Sequence, residues 1–245
     1  MTEITIAIWV AMGFAALTQS ITGFGFALTA MAILTSATSV ELATPLVALA
    51  GLFNNTSLWL VYRKDFEIKS VLRLLRASIL GIPIGLYGVR YISESWAFII
   101  LGLIVGGYAL YSLVGAELPK LVSPKWSYGF GMVAGILTGS FNIPGPPVVF
   151  YGQCRRWLPQ EFKSNLAGFF CFNSVAVVMG HGLQRNLSIE VFGHFAIAIP
   201  VILLGLRLGT IISRYLDPGL FRNMVLILLI FTGLRLFWMG VQGFL

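Results

Sequence analysis

The chain has 245 residues, of which 58% are hydrophobic and 10% charged, and its formal net charge is +7. A soluble domain carries about 25% charged residues, and a fold this apolar would leave large greasy patches in water. The composition therefore excludes a soluble enzyme or nucleic-acid binder and names lipid as the solvent. The basic residues fall between apolar runs, where they report topology.

Eight apolar segments follow in chain order. Segment A runs from Ile4 to Leu34, B from Leu42 to Tyr62, C from Val71 to Tyr91 and D from Trp96 to Ala116. Segment E runs from Tyr128 to Trp157, F from Leu166 to Gln184, G from Val191 to Ile212 and H from Phe221 to Val241. B, C, D, G and H each have the length a helix needs to cross about 30 Å of hydrocarbon, and F falls slightly short. Barrel strands would alternate over about ten residues, which these runs do not. Trp59, Tyr62, Tyr91, Trp96, Trp126, Tyr128, Trp157 and Tyr215 stand near segment ends as an interfacial aromatic belt. The first run lacks Lys and Arg and continues too far for a cleavable signal peptide, so it is expected to be retained. Cys154 and Cys171 are too few for a disulfide framework and are expected to be unpaired packing residues.

Segments A and E are interrupted. A carries Gly23-Phe24-Gly25, and E carries Asn142-Ile-Pro144-Gly145-Pro146-Pro147. Glycine and proline at this density break helices. Each run is long for one crossing and short for two, so it is a broken crossing or a re-entrant hairpin. If both return to the side they entered, one side of the membrane receives Arg63, Lys64, Lys69, Arg73, Arg76, Lys120, Lys125, Arg155, Arg156, Lys163, Arg214 and Arg222. The other side receives only Arg90 and Arg185. The positive-inside rule selects this arrangement, with six full crossings and both termini outside.

The chain also repeats itself. Thr18 and Ser20 align with Thr138 and Ser140, Asn55 in B with Asn173 in F, and Gly81-Ile-Pro-Ile-Gly85 in C with the Leu204-Gly205 region in G. The halves are 1–120 and 121–245. A enters from outside and E from inside, so the expected architecture is an all-α polytopic membrane protein of two inverted four-segment repeats, each opening on a broken or re-entrant segment.

Where A resumes after Gly23-Phe24-Gly25 and E after Pro144-Gly145-Pro146-Pro147, a helix N-terminus lies within the membrane, presenting unpaired N–H groups and partial positive charge. Two such ends converging near the midplane from opposite sides make an anion site. Gln19, Ser20, Thr22, Gly23, Phe24, Gly25 and Asn55 form the candidate half-site in the first repeat. Thr138, Ser140, Asn142, Pro144, Gly145, Pro146 and Asn173 form it in the second. No Asp or Glu lies well inside a segment, which argues against metal-cation sites. Arg207 and Arg235 enter the spans and favour an anion, with snorkelling to the interface as the plainer explanation. The breaks have a plainer alternative too, as packing kinks. GxxxG-like spacing at Gly81/Gly85, Gly131/Gly135 and Gly205/Gly209 fits close helix packing and leaves room for a homodimer.

Gln19-Ser-Ile-Thr-Gly-Phe-Gly-Phe26 and Gly135-Ile-Leu-Thr-Gly-Ser-Phe-Asn-Ile-Pro-Gly-Pro-Pro147 resemble the paired motifs of the TauE/SafE family, also called the toluenesulfonate uptake permease family. The resemblance extends over the whole chain in length, segment count and two-fold repetition. It implies a bacterial inner-membrane permease for sulfur-containing anions such as sulfite, sulfoacetate or other organosulfonates. The second motif has Asn142 and prolines where the first has Thr22 and Phe24, so the half-sites are chemically unequal.

The leading expectation is a secondary transporter working by alternating access, with a small anion and the lipid bilayer as partners and neither cofactor, metal nor nucleic acid. No GxxxxGK[ST] motif is present to bind a nucleotide. A passive anion channel on the same helix ends is the alternative. An intramembrane enzyme lacks its motifs, because neither HExxH nor an intramembrane Asp occurs.

Overall fold

The computed structural model describes residues 2–34, 37–88, 91, 93–115, 119–215 and 218–244. The sequence expectations resting on Arg90, Ala116, Glu117 and Asp217, and on the side chains of Arg214 and Arg222, lie outside what it describes.

Every described element is helical. The helices are α1 (Thr2–Thr22), α2 (Phe26–Leu34), α3 (Val40–Tyr62), α4 (Ile68–Gly88), α5 (Glu94–Val114), α6 (Trp126–Phe141), α7 (Gly145–Cys154), α8 (Pro159–Leu183), α9 (Ile189–Tyr215) and α10 (Pro218–Gln242). A 3₁₀ turn at Arg63–Asp65 links α3 to α4. Each expected segment is one helix, except that A divides into α1 and α2 and E into α6 and α7. Among the described residues, Glu3–Thr22, Glu41–Asp65, Pro159–Leu183 and Ile189–Ser213 are long and apolar enough to cross a membrane. The protein is an integral membrane protein. Cys154 and Cys171 are both free and buried, as packing residues should be.

Three segment boundaries differ from the sequence reading in ways that matter. α8 begins at Pro159 rather than Leu166. Proline suits a first helical turn, and the Glu161 carboxylate accepts a hydrogen bond from the Leu158 N–H at 3.3 Å. Lys163, expected between segments, therefore lies inside a helix. α9 and α10 run on to Tyr215 and Gln242, putting Arg207 and Arg235 eight and seven residues from their ends (215 − 207 and 242 − 235).

The helices form two compact packing units. The first comprises Met1–Leu75 and Trp157–Leu216, and the second Arg76–Arg156 and Asp217–Leu245. These units are defined by packing and the halves 1–120 and 121–245 by repetition, and the two divisions differ. In the first unit α1 packs on α9 and α3 on α8. Ile8, Met12, Leu34, Leu46 and Ile202 are fully buried at its centre. Small residues allow α1 and α9 to approach: a Cβ at Gly205 would sit 3.0 Å from that of Ala16, and one at Gly209 2.5 Å from that of Ser20. In the second unit α10 packs on α5 and α6 on α7. There α4 meets α6 in the same manner. A Cβ at Gly81 would stand 2.5 Å from the Met132 carbonyl oxygen, and one at Gly85 would fall on that of Ile136.

Candidate functional site

The first break begins where α1 stops. The Gly23 N–H still donates to the Gln19 carbonyl at 2.7 Å, and the Phe24 N–H reaches the Thr22 hydroxyl oxygen at 3.3 Å. Gly23 and Gly25 then take φ of +87° and +96°, a region that side chains with a Cβ avoid. The first bond of α2 runs from the Thr29 N–H to the Gly25 carbonyl at 2.9 Å. The N–H groups of Phe26, Ala27 and Leu28 consequently have no intrahelical carbonyl to meet. Thr18 is fully buried and its hydroxyl has no hydrogen-bond partner. Its methyl carbon lies 3.7 Å from where a Cβ on Gly25 would stand. Ser20 differs, because its hydroxyl is engaged by the Ala16 carbonyl one turn back at 2.6 Å.

Behind the break runs a chain of buried amides. Gln19 Nε2 donates to Asn55 Oδ1 at 2.7 Å, Asn54 Nδ2 to Gln19 Oε1 at 3.0 Å, and Asn55 Nδ2 to the Ser174 hydroxyl at 3.0 Å. It joins α1 to α3 and α3 to α8. Asn54 Oδ1 is buried without a partner. Asn173, beside Ser174 on α8, is 3% exposed.

The sequence reading missed Lys163 and Tyr62. Gln19, Ser20, Gly23, Leu58, Tyr62 and Lys163 line a narrow crevice at the break. The Lys163 stem lies along Gly23, with its Cγ 3.6 Å from where a glycine Cβ would stand. Its ammonium donates to the Ser20 carbonyl at 3.3 Å and sits 5.5 Å from the centre of the Tyr62 ring. A signal was available: residues 163, 166, 167 and 170 share one helical face, and Leu166, Ala167 and Phe170 are buried.

The second break is built from other parts. Asn142 ends α6 in the left-handed conformation, φ +57°, its N–H donating to the Thr138 carbonyl at 2.8 Å. The Ile143 N–H is taken by the Leu137 carbonyl at 3.3 Å. α7 then opens on Gly145-Pro146-Pro147, capped by Pro144. Proline has no N–H, so this terminus offers far fewer donors than α2 does. Gly145 faces open space. The Ser140 hydroxyl donates to the Gly85 carbonyl at 3.1 Å and the Thr138 hydroxyl to that of Ala134 at 2.7 Å. The loop that precedes segment E is tied to the segment's C-terminal end. The Leu121 N–H donates to the Cys154 carbonyl at 3.0 Å, and Arg155 Nη1 reaches the carbonyls of Leu121 and Val122 at 2.9 and 2.8 Å.

Gln19, Ser20, Thr22, Gly23, Phe24, Gly25, Asn55, Asn173 and Arg207 thus belong to the first unit. Thr138, Ser140, Asn142, Pro144, Gly145, Pro146 and Arg235 belong to the second. Arg207 and Arg235 are exposed, and neither pairs with a carboxylate among the described residues.

Comparison with known proteins gives the chain's family. The family model described as sulfite exporter TauE/SafE matches residues 8–236. The chain is 25% identical over 225 residues to a Cupriavidus necator protein described as a probable sulfite/organosulfonate exporter TauE, covering 89% of this chain and 88% of that one. It is 25% identical over 166 residues to a Comamonas testosteroni protein described as a probable inner membrane transporter protein TsaS, covering 66% and 69%. No solved structure matches the chain.

Proposed function

Because the chain belongs to the TauE/SafE sulfite exporter family of membrane transporters, we propose that it is a secondary transporter of a small sulfur-containing anion, sulfite, sulfoacetate or another organosulfonate. The observation that carries this reading is the first break. A helix N-terminus whose first-turn N–H groups have no intrahelical carbonyl to meet and a buried, unpartnered Thr18 hydroxyl lie in a chain whose described spans hold acids only near their ends. Such an end stabilises an anion through directed N–H groups and the helix dipole, and it stabilises a cation poorly. At the second break the Asn142 amide is the donor best able to take the place of the missing N–H groups.

Segment E is read as a hairpin, with its entry and exit on one face of the bacterial inner membrane. The bonds from Leu121 and Val122 to Cys154 and Arg155 support this reading. With A behaving alike, both termini face the periplasm. A C-terminal alkaline phosphatase fusion should then be active and a fluorescent-protein fusion dark, and the reverse pattern overturns the topology. The matching glycine contacts of α1 with α9 and of α6 with α4 support the inverted repeat.

The test of function is a thermal-shift screen of the purified protein with sulfite, sulfoacetate, taurine and sulfate, followed by counterflow in proteoliposomes. A bound anion raises the melting temperature by mass action, and a carrier exchanges labelled for unlabelled anion across the bilayer. No shift with any sulfur anion defeats the substrate class. A leak without counterflow makes the protein a channel.

A further inference from the structure

Lys163, half-buried in the second turn of α8, has weak partners for a cation. Its bond to the Ser20 carbonyl is 3.3 Å long, at the loose end for N–H···O. Its second neighbour is the face of Tyr62, 5.5 Å away. Among the described residues no carboxylate pairs with it. An ammonium carries three donors, and one hydrogen bond uses one. The part of such a cation taken from water loses hydration without gaining a counter-ion. The chain's nine acids all lie in loops or near segment ends. Among the described residues none supplies a counter-ion to Lys163.

We propose that Lys163 is the counter-charge of the first half-site, recognising the single negative charge of a small oxyanion brought to the break between α1 and α2. The Ser20 carbonyl and the Tyr62 ring hold the ammonium while no anion is there. The crevice is too narrow in this conformation to admit water, so the long lysine stem must swing off Ser20 as the anion enters. The Thr18 hydroxyl, buried without a partner beside Gly25, is free to donate to an oxyanion oxygen. One positive charge beside one helix terminus suits a monoanion, such as a sulfonate or hydrogensulfite, better than a dianion such as sulfate.

This inference rests on the anion-transport reading, and its test separates the two. Methanesulfonate and sulfate are titrated calorimetrically into the detergent-purified full chain and into Lys163→Met and Lys163→Arg. Wild type should bind methanesulfonate more tightly than sulfate. Lys163→Met should lose about 10- to 100-fold in methanesulfonate affinity, as removal of a charged hydrogen-bond partner does, and Lys163→Arg should keep most of it. Without anion, Lys163→Met should melt at or above the wild-type temperature, because an unpaired cation has been removed. If Lys163 only caps α1, the apo melting temperature falls and the affinity stays within about threefold. That pattern overturns the proposal while leaving the transporter intact. Should Lys163→Met fail to fold, Lys163→Gln is read the same way. If wild type binds neither anion, the transport reading fails and takes this one with it.

Discussion

Segments A and E share a sequence pattern and break at matching places, yet they offer different chemistry. At the first break two glycines with positive φ turn the chain, and the first-turn N–H groups of α2 have no intrahelical carbonyl to meet. At the second, Asn142 turns the chain and three prolines remove most of the donors. Behind the first stands a network of Gln19, Asn54 and Asn55. The position matching Gln19 in the second repeat is Gly139. The two backbone interruptions fall at corresponding places in the two motifs, while the polar groups around them differ.

The glycine contacts test how deep the likeness runs, and they carry the largest expected effect. A Cβ at Gly85 falls on the Ile136 carbonyl, and one at Gly209 stands 2.8 Å from that of Leu17. Gly85→Leu and Gly209→Leu should each cost about 3 kcal/mol or more, as severe overpacking does, and lose the monodisperse peak in fluorescence-detected size exclusion. Gly129→Ala, which meets open space on α6, should leave the peak unchanged. If one glycine of the pair tolerates leucine and the other does not, the packing likeness between the units is broken.

Next comes the amide network, which the second break lacks. Gln19→Leu leaves Asn55 Oδ1 and Asn54 Nδ2 buried without their partners. Each stranded group costs about 1–3 kcal/mol, which a thermal melt in detergent reads directly. An unchanged melting temperature means that water reaches the amides and that the network is not a sealed structural element. The two breaks should also respond oppositely to one methyl group. Gly25→Ala forces a Cβ into φ +96°, costing about 1–2 kcal/mol. Gly145→Ala sits in helical backbone facing open space and should stabilise by about 0.4–1 kcal/mol. Gly145 is therefore the better place for a bulky blocking residue, because a leucine at Gly25 would confuse lost binding with lost fold.

The eight segments were legible because lipid demands long apolar runs, and the breaks because glycine and proline announce themselves. The start of α8 was hidden for the opposite reason. Pro159-Gln-Glu-Phe-Lys-Ser-Asn165 is polar in composition, yet Ser164 and Asn165 are fully buried. Hydropathy assigns such residues to a loop, and Lys163 went with them into the count of topology signals. Depth was also hard to read. α1 has 21 residues, about 31 Å of helix, so the first break comes after almost a full crossing rather than half of one. α6, with 16 residues, covers about 24 Å. Sequence marks the break but not its depth, because the polar ends of a helix are shared with its loops.

The smallest expected effect decides between the helix-terminus site and its rival. Arg207 and Arg235 were the two cations visible in the spans, and both are exposed. Standing eight and seven residues from their helix ends, their α-carbons lie about 12 and 10 Å along the axis from those ends. A guanidinium can extend part of that distance toward headgroups while its stem stays in hydrocarbon. Neither has an acidic partner among the described residues, so neutralising either leaves no carboxylate stranded. Arg207→Gln and Arg235→Gln should each change stability by less than about 0.5 kcal/mol and leave methanesulfonate affinity within about twofold of wild type. Lys163→Met, measured beside them, should not. If instead either arginine variant abolishes binding and Lys163→Met does not, the anion is held by exposed arginine, and the unmatched N–H groups of α2 have some other partner.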